Sequence, residues 1–597
     1  MATNIQQSND QPTTLSGRIG RTGHITLLGM DGGTNAIDLP SQICSLAVNR
    51  VFRNRNHVTR PAFLFSDIDF NGDDAAKSMF ENHAIRGVFE YAAQSPNAVS
   101  CLIVFVGTRI MALYCAGTKT SAITLWDGLS QLTDVAAYVQ IADRAYFQDG
   151  EGLKLGWDGV NDVYVLGSGN DDMPIFIGMV ECQGRIVGFT ESSDAIISDH
   201  VYSNGVGTTT GAESWTEYQY IDDIGAITMP AMLGRYVGAI AIRQDNTFNA
   251  EGPVLVMGTK GFYTLNLSGP RAGWNVATIQ RPYPVIGGGC SRDTLVSAGT
   301  DVMWQSSDGS LRSFRTAESQ AETDWGEQPI SNEVKQFTNQ SFQPALSSSS
   351  AVVFGERLLM TVAMRTVPDV DGHQHRYGLG MVAMDFDRGT MTNPDQGFSW
   401  DGLWTGINPV KLCVVGGLCY AVAFNGKNQL FQIEALPGGD DRACDGSYKK
   451  IESFYVTPWM FWDKDVFQPI YIKRLLSASV TAVLGRDASM VCGAIGYSGR
   501  QQRSITAVTQ GSPEKPIPVV TNNNSIAGTL HFGFRQETPM ESAFQIYVGM
   551  TGMVKVDMLN IRATLQEQQV TQTSQLTERF CKSEEQLIEP FGYKICP

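Results

Sequence analysis

Short strand–turn–strand units recur along most of this chain and constrain its fold more than any other feature. Runs such as "CLIVFVGTRIMALYC", "VLVMGTKGFYTLNL" and "CYAVAFNGKNQLFQIE" place two apolar, β-prone stretches around a turn that contains glycine. Glycine and asparagine readily adopt the positive φ that tight hairpin turns require. The sequence therefore predicts a mainly β protein with few helices.

The predicted hairpins are spaced along the chain in a way that suggests a repeat. Their turns are centred near residues 107, 150, 192, 260, 308 and 426, and the strands "RLLMTVAMR" and "GMVAMDFD" precede the last one. Gaps of about 40 to 50 residues with several strands each are typical of β-propeller blades. We expect a β-propeller, and the pattern leaves its number of blades open.

A Trp-Asp-Gly triplet occurs at three places, and we interpret it as a structural repeat at the edge of a blade. The tryptophan ring would be buried between sheets, and the aspartate and glycine would turn the chain. The alternative is a chance recurrence of an aromatic residue before a turn, since the Gly-His partner of a WD40 consensus is missing. The triplets are Trp126-Asp127-Gly128, Trp157-Asp158-Gly159 and Trp400-Asp401-Gly402.

Changes in composition divide the chain into four parts. Residues 1–28 are predicted to be a polar arm, and 29–443 a β-propeller-like domain with an N-terminal strand and a helical insertion near 73–94. Longer strands with fewer turn signals predict an additional β-sandwich or barrel domain over 444–563. Residues 564–597 are rich in Gln, Thr and Glu, and they would be an exposed arm, a docked helix or disorder.

The charge of the chain excludes a tight nucleic-acid binder. The formal net charge is −16 and the pI is near 5.0, whereas strong binding to phosphate backbones needs clustered Lys and Arg. An acidic wall is still compatible with a duplex that passes without sticking. We also expect no secretory signal and no membrane-spanning helix, and we expect the 11 cysteines to be mostly small core residues.

No known catalytic motif stands out in the sequence. We find no GxSxG elbow, P-loop, zinc ribbon or EF-hand spacing, and no carboxylate pair can be nominated for a glycosidase. We therefore predict no enzyme, no catalytic residue, no cofactor and no metal site. His373 and His375 would share one face of a strand, as some metal sites require, but a solvated loop tip is the interpretation that we favour.

The segment Gly29 to Phe63, "GMDGGTNAIDLPSQICSLAVNRVFRNRNHVTRPAF", resembles the opening of the nozzle proteins of short-tailed bacteriophages, the tail tubular protein B type. The positions that carry the resemblance are Gly32-Gly33-Thr34-Asn35, Leu39-Pro40, Asn49 and Arg60-Pro61. Weak matches follow in the same order up to about residue 480, in "ECQGRIVGFTESSDAIISD", "GPVLVMGTKGFYTLNL", "GTDVMWQSSDGSLRSF" and "GFSWDGLWTGINPVKLCVVGGLCYAVAFNGKNQLFQI".

This resemblance implies a structural virion protein without an active site. Such a protein would form a ring, usually of six copies, that extends the DNA-ejection channel of the tail and helps to retain and release the genome. Its expected partners are other copies of itself, the tail adaptor and portal-proximal proteins, possible tail fibres, and double-stranded DNA in the lumen. It would be made in the cytoplasm of the host bacterium and reside in the tail of the virion.

Four arginines form the most unusual basic cluster of this acidic chain: Arg50, Arg53, Arg55 and Arg60. One hypothesis is that they contact an acidic adaptor or the DNA near the channel entrance. The alternative is a solvated strand edge, because charged side chains also protect edges from aggregation.

Two other functions remain open from the residues themselves. A monomeric β-propeller could bind a glycan or a protein at one end of its axis, and self-association would distinguish a tail ring from it. A carbohydrate-active enzyme is the third and weakest possibility.

Overall fold

The computed structural model describes residues 19–566 except 37, 54–55, 95, 167–172, 200–214, 216–225, 244–250, 268–272, 279–287, 300, 315–328, 387–398, 461–471, 486–487, 497–500, 504–507, 510–518, 522–524 and 534–542. The chain divides into two compact units. The first unit comprises Met1–Phe63, Val382–Gly406 and Leu436–Pro597, and the second comprises Leu64–Met381 and Ile407–Ala435. The second unit is therefore an insertion in the sequence of the first.

Seven strands and a helix precede the repeated part of the chain. They are β1 (Ile19–Ile25), β2 (Gly29–Met30), β3 (Ile43–Cys44), β4 (Leu46–Val48), β5 (Arg50–Arg53), β6 (Asn56–Thr59), β7 (Pro61–Asp69) and α1 (Asp74–Asn82). The Asp73 carboxylate caps α1 by accepting a hydrogen bond from the N–H of Ala76 at 2.9 Å. The predicted helical insertion near 73–94 is correct for α1 only, because Ile85–Tyr91 pairs with the next strand.

Seven successive groups of antiparallel strands, which we call blades 1 to 7, make up the second unit, except that residues 382–385 of blade 6 and 436–437 of blade 7 belong to the first unit. Blade 1 is β8 (Ile85–Tyr91), β9 (Cys101–Val106), β10 (Arg109–Ala116) and β11 (Lys119–Asp127). Blade 2 is β12 (Ala137–Ile141), β13 (Arg144–Gln148), β14 (Lys154–Trp157) and β15 (Tyr164–Val165). Blade 3 is β16 (Gly178–Cys182), β17 (Arg185–Phe189), β18 (Asp194–Ile197) and β19 (Ala226–Thr228).

The remaining blades follow in the same manner. Blade 4 is β20 (Tyr236–Arg243), β21 (Glu251–Gly258), β22 (Phe262–Asn266) and β23 (Asn275–Thr278), and blade 5 is β24 (Val296–Ala298), β25 (Asp301–Gln305) and β26 (Leu311–Ser313). Blade 6 is β27 (Ala351–Phe354), β28 (Arg357–Val362) and β31 (Gly380–Asp385), with a hairpin of β29 (Arg365–Pro368) and β30 (Gln374–Tyr377) between the last two. After β32 (Ser399–Trp404), blade 7 is β33 (Pro409–Val415), β34 (Leu418–Phe424) and β35 (Asn428–Pro437).

Short helices lie between the blades. A second α-helix, α2, spans Lys335–Thr338. In the described residues, the 3-10 helices are Ala231–Leu233, Arg292–Thr294, Asn332–Val334 and Gln343–Ser348. The segment "SNEVKQFTNQ" forms a 3-10 turn followed by one α-helical turn.

Neighbouring blades pack face to face, and the last blade packs on the first. Phe105 of blade 1 and Phe147 of blade 2 have ring centroids 6.1 Å apart, and similar apolar clusters join the following blades. Tyr420 of blade 7 and Leu102 of blade 1 share one cluster, and the inner strands β33 and β8 lie against each other. The blades therefore form a closed ring, and the predicted β-propeller is confirmed, with seven blades in the described part of the second unit.

The predicted hairpin turns fall at equivalent places in this ring. The turns near residues 107, 150, 192, 260, 308 and 426 each connect the second and third strands of a blade. In blade 6 the corresponding connection is replaced by the β29–β30 hairpin. The regular spacing in the sequence therefore reflected the blade repeat.

Strand β7 joins the two ends of the ring. It lies between β35 of blade 7 and β11 of blade 1 and pairs in parallel with β11 through Asp67, Ile68 and Asp69. Phe65 of β7 contacts Phe431 of β35, with ring centroids 5.8 Å apart. The strand that begins the unit thus links the first blade to the last.

The first unit is a β-domain whose strands come from three segments of the chain. Its later strands are β36 (Asp441–Arg442), β37 (Tyr448–Lys449), β38 (Glu452–Val456), β39 (Ile472–Leu484), β40 (Ser489–Gly496), β41 (Gln501–Arg503), β42 (Val508–Thr509), β43 (Val519–Thr521), β44 (Ser525–Gly533), β45 (Phe544–Thr551) and β46 (Val554–Gln566). One sheet has the strand order β43-β44-β39-β46-β6-β5, and β1 also pairs with β46. A second sheet contains the strand order β32-β4-β38-β45-β40-β41.

The domain boundaries predicted at residues 29 and 443 differ from the boundaries of the two units. The N-terminal strands belong with the C-terminal ones, since β6 pairs with β46 and β4 pairs with β38. Residues 19–25 of the predicted N-terminal arm form β1, which also pairs with β46. Residues 1–18 and 567–597, which include most of the predicted C-terminal arm, lie outside the described residues.

Candidate interaction sites

Arg60 lies at the centre of a buried network in the first unit, just before the chain enters the second. Its guanidinium donates to both carboxylate oxygens of Asp441, at 2.9 and 2.6 Å. Its Nε donates to Asn49 Oδ1 at 2.9 Å, and Nη2 donates to the carbonyl of Thr405 at 2.7 Å. The guanidinium carbon also lies 3.6 Å from the ring centroid of Phe63. This network, which we call the Arg60 network, holds together segments that are distant in sequence.

The other basic residues of the cluster do not form a shared surface with Arg60. Arg50 is fully buried, and its guanidinium donates to the carbonyls of His57 and Val554 at 2.7 and 3.1 Å. Arg53 makes a bidentate pair with the buried Asp385, at 2.9 and 3.1 Å. Arg55 lies outside the described residues.

These contacts correct the expectation of an exposed basic patch. Arg50 and Arg60 are held inside the first unit, so neither an outside partner nor solvent surrounds them in this structure. Because burying a cation requires a compensating charge or hydrogen bonds, their partners explain why they are tolerated there. A contact of Arg53 or Arg55 with an adaptor or DNA stays a prediction.

The three Trp-Asp-Gly triplets occupy three different environments. Trp126 ends β11, the fourth strand of blade 1, and Asp127 pairs with Arg109 at 2.9 Å. Trp157 ends β14, the third strand of blade 2, and its Nε1 donates to the carbonyl of Asn161 at 3.0 Å. The third triplet lies in β32 of the first unit, outside the propeller.

The third triplet is also the most deeply buried. Trp400 and Asp401 have no exposed surface, and the Asp401 carboxylate accepts a hydrogen bond from the N–H of Phe52 at 2.7 Å. In contrast, Asp158 caps its own turn by accepting from the N–H groups of Val160 and Asn161 at 3.0 and 2.8 Å. The prediction of equivalent blade positions is therefore wrong.

What the triplets share is a positive φ at their glycines. The φ angles are +118° at Gly128, +81° at Gly159 and +95° at Gly402. These angles lie in a region that residues with a Cβ rarely adopt. Gly128 and Gly159 follow the end of a strand, whereas Gly402 lies inside β32.

The two histidines of the predicted loop tip, His373 and His375, lie in different environments. His375, on β30, is buried, stacks on Phe424 with ring centroids 4.4 Å apart, and has its Nε2 3.2 Å from the carbonyl oxygen of Asn82. His373 lies in the turn before it and donates its backbone N–H to Asp369 at 2.8 Å. The expectation of a solvated loop tip is wrong for His375, because that side chain packs between the hairpin and blade 7.

Side chains of distant blades meet at the axis of the propeller, which makes the axis the strongest candidate site of the second unit. The Arg292 guanidinium, from the linker between blades 4 and 5, lies 4.7 Å from the ring centroid of Phe89 on β8. Phe89 stacks in turn on Tyr138 of β12, with centroids 4.9 Å apart. The Tyr138 hydroxyl donates to the carbonyl of Glu90 at 2.7 Å. The Arg292–Phe89 contact crosses the ring, whereas the contacts of Tyr138 join the neighbouring blades 1 and 2.

A charged pair lies beside these rings. The Lys411 ammonium on β33 is buried, donates to the carboxylate of Asp293, and also donates to the carbonyl of Ser348 at 3.1 Å. Burial alone would raise the pKa of Asp293, but Lys411 and the adjacent Arg292 together lower it below the ordinary value. Asp293 is therefore ionised at neutral pH, and its charge is balanced within the site.

The pKa of Glu90, on the inner strand β8, shifts in the opposite direction to that of Asp293. Burial raises the pKa of Glu90, and a hydrogen bond that its carboxylate accepts from the N–H of Gly416 at 3.3 Å opposes that effect only in part. The axial contacts therefore consist of the aromatic rings of Phe89 and Tyr138 and the ion pair of Lys411 and Asp293. Such an arrangement locks blades together and leaves the outer surfaces of the propeller for contacts with other molecules.

Sequence reasoning missed these axial residues. A possible signal was Lys411 in the apolar run "NPVKLCVV", because a lone lysine in a buried strand requires a carboxylate partner. The adjacent Arg292 and Asp293 gave no sign of which strand they would meet. Their partner is remote in sequence, so only the closed ring brings the charges together.

The described residues contain neither a group of side chains suited to bind a metal ion nor a helix suited to cross a membrane. In that part of the chain, no three His, Cys, Asp or Glu side chains are grouped so that they could hold a metal ion. None of its helices is long and apolar enough to cross a membrane. Of the cysteines that it covers, most are buried or half-buried, as predicted, and Cys444 is exposed.

No protein-family model and no curated protein matches the sequence. Among solved structures, the chain is similar to the WD40 β-propeller domain of Doa1, with 10% identity, a TM-score of 0.31, and coverage of 59% of this chain and 94% of that one. It is also similar to YCF48 from Cyanidioschyzon merolae, with 12% identity, a TM-score of 0.29 and coverage of 59% and 96%. BamB from Moraxella catarrhalis matches with 9% identity, a TM-score of 0.29 and coverage of 63% and 98%.

Proposed function

We propose that this chain is a structural β-propeller protein that acts through surface contacts, and that it is a ring-forming nozzle subunit of a short-tailed bacteriophage tail. In this role it would extend the DNA-ejection channel and help to retain and release the genome. The acidic character of the chain suits a channel wall, because repulsion of phosphates keeps a moving duplex from stalling.

The Arg60 network is the observation that supports this proposal most. Asn49 and Arg60 are two of the positions that carry the resemblance to nozzle proteins, and they bond to each other and to Asp441. Asn49 also has a positive φ of 56°, and its Oδ1 accepts from the N–H of Thr405 at 2.7 Å. Two of the positions that carry the resemblance therefore belong to one buried hydrogen-bond network.

Contacts between parts of the ring that are not neighbours give a second line of support. Arg292, in the linker between blades 4 and 5, contacts Phe89 of blade 1, and Lys411 of blade 7 pairs with Asp293 of the same linker. A propeller stiffened in this way suits a scaffold that must keep its shape under load.

A monomeric β-propeller that binds a glycan or a protein is the second candidate. The closed ring of seven blades favours it, because this fold presents one broad face at each end of its axis. The two candidates differ in whether copies of the chain associate with one another and with a phage tail.

Restoration of tails tests the proposal. Purified chain would be added to a lysate of the phage whose corresponding gene is deleted, and the particles would be examined by negative-stain imaging. We expect longer tails that retain DNA, and an Arg60→Ala variant should restore fewer because it misfolds locally. Particles that never acquire the chain at saturating concentration would contradict the nozzle proposal and favour the binding propeller.

A further inference from the structure

The linkers between blades and the turns between second and third strands share one end of the propeller, which we call the linker face. In an antiparallel blade, the end of the second strand lies beside the start of the first. Hydrogen bonds confirm this placement: the N–H of Lys260 in the blade 4 turn donates to the carbonyl of Leu233 in a linker, at 3.0 Å. The N–H of Ser307 in the blade 5 turn donates to the carbonyl of Gly288 in another linker, also at 3.0 Å.

Large apolar side chains are exposed on this face in one linker after another. They are Leu132, Ile175, Met232 and Phe342 in four linkers, with Val367 and Val370 on the β29–β30 hairpin. Leu132 is 86% exposed and Val370 is 70% exposed. Met232 lies beside the turn between the second and third strands of blade 4, since its carbonyl is near Gly261.

The ion pairs of the linker face present their carboxylates to solvent. Asp134 is 64% exposed, whereas its partner Arg376 is 25% exposed. Asp308 is 54% exposed, whereas its partner Arg312 is only 4% exposed. Asp73 and Asp127 are likewise more exposed than their partner Arg109. Asp371 is more exposed than the neighbouring His83.

One pair on this face has the reverse order, since Lys427 is more exposed than Glu81. Arg235, Lys260 and Lys335 are also exposed there, but they are outnumbered by the exposed carboxylates, which are Asp73, Asp127, Asp134, Glu151, Glu191, Asp308 and Asp371. Exposed apolar groups that share one face mark a protein-binding surface more often than groups scattered over the whole protein do. Acidic surroundings select against partners of the same charge.

We propose that the linker face is a docking surface for a protein segment that presents apolar side chains flanked by Lys or Arg. The apolar side chains would be buried among Leu132, Met232 and their neighbours, and the cations would meet the outward carboxylates. The same face of a second copy is a poor occupant, because it would oppose carboxylates with carboxylates. This surface goes beyond the ring of the proposed function and is open to a nozzle subunit and to a free propeller alike.

The opposite end of the propeller supplies a matched control. Val99, in the connection from β8 to β9, and Leu418, in the turn from β33 to β34, are also exposed apolar side chains. Both connections join first to second strands and therefore lie at the far end of the axis. Replacing them removes similar apolar surface without touching the linker face.

The test uses the full chain and a synthetic amphipathic helix of Leu and Lys as the probe, with binding followed by fluorescence anisotropy. We expect the double variant L132S/M232S to weaken binding about tenfold or more, and V99S/L418S to leave it within about twofold. A helix of Leu and Glu should not bind. Raised salt should weaken the binding of the Leu and Lys helix, because part of the attraction is electrostatic.

Three outcomes would overturn the inference. Equal loss of binding in both double variants would show that the probe does not use the linker face. Binding of the Leu and Glu helix as tight as that of the Leu and Lys helix would remove the charge argument. Concentration-dependent self-association that only L132S/M232S abolishes would identify a second copy as the occupant.

Discussion

Gly402 and Gly128 stand in the same sequence triplet, yet an added methyl group would meet very different surroundings. A Cβ at Gly402 would lie 2.3 Å from the backbone carbonyl oxygen of Ala47, whereas the nearest atom to a Cβ at Gly128 is Trp126 Nε1 at 3.8 Å. Both glycines have a positive φ, which costs about 1–2 kcal/mol for alanine. We expect G128A to lose about that much stability.

We expect G402A to be destabilised by roughly 2 kcal/mol more, because the backbone around Ala47 must also shift. Urea unfolding of both variants, followed by tryptophan fluorescence, measures the difference. Equal midpoints for G402A and G128A would contradict the different environments that we describe for the two triplets.

Arg60 leads to a second prediction at the scale of single residues. R60A would leave Asp441 without its bidentate partner and Asn49 Oδ1 without the Nε donor. Breaking a buried pair in this way costs about 3–5 kcal/mol, so we expect a large fall in the thermal unfolding temperature of the first unit.

A control for R60A is available in the same unit. The pair of Lys450 and Asp440 is more exposed, with side-chain exposures of 36% and 25%, and removal of an exposed pair costs about 1 kcal/mol or less. K450A should therefore unfold close to the parent temperature. An R60A variant as stable as K450A would show that the Arg60 network is dispensable.

The residues of these sites were only partly predictable from the sequence. The positive φ of the triplet glycines followed from residue type, because glycine tolerates such φ angles without a Cβ clash. The burial of Arg50 and Arg60 did not follow, since Asp441 lies far away in sequence and Arg50 is held by His57 and by hydroxyl and carbonyl groups. Charge clustered in a sequence does not show whether the charges will lie on a surface.

The β29–β30 hairpin makes a prediction at the scale of structural elements. Burial lowers the pKa of His375 on this hairpin below its ordinary value, while the carbonyl of Asn82 and the nearby Asp369 oppose the shift and His83 adds to it. The unfolded chain binds this proton near pH 6.5, and the folded chain does so only at lower pH. The hairpin should therefore be fully stable above about pH 6.5 and lose stability as the pH falls below that value.

The variant H375Q tests this dependence, because glutamine keeps a donor for the Asn82 carbonyl but does not titrate. We expect the fall in unfolding temperature between pH 7.5 and pH 5.5 to be smaller in H375Q than in the parent chain. Some dependence should remain, since burial and Arg50 also lower the pKa of His57. An unchanged difference between the two pH values would show that His375 does not contribute.

The elements of the propeller were the most predictable part of the molecule. Hairpin turns are set by local residue types, so their positions in six blades could be read from the sequence. The turn of blade 6 could not be predicted in this way, because the β29–β30 hairpin around His375 replaces it. The strand at Ile85–Tyr91 was assigned to a helix because its neighbour α1 has a helical pattern that continues into it.

At the scale of the whole molecule, the insertion of one unit into the other could not be predicted. The pairing of β6 with β46 and of β4 with β38 joins segments from opposite ends of the chain, and no local pattern encodes such partners. Closure of the ring could not be predicted either, because it depends on the pairing of β7 with both β11 and β35. The seven-bladed count follows only once that closure is seen.

The molecular mass of the purified full-length chain in solution tests the central claim most directly. Light scattering would be measured over a range of concentrations and combined with imaging of the same sample. The nozzle account predicts closed rings of several copies, either of the chain alone or once a tail adaptor is added. A mass of one chain, about 65.1 kDa, at every concentration and with the adaptor present would contradict it and leave the monomeric binding propeller.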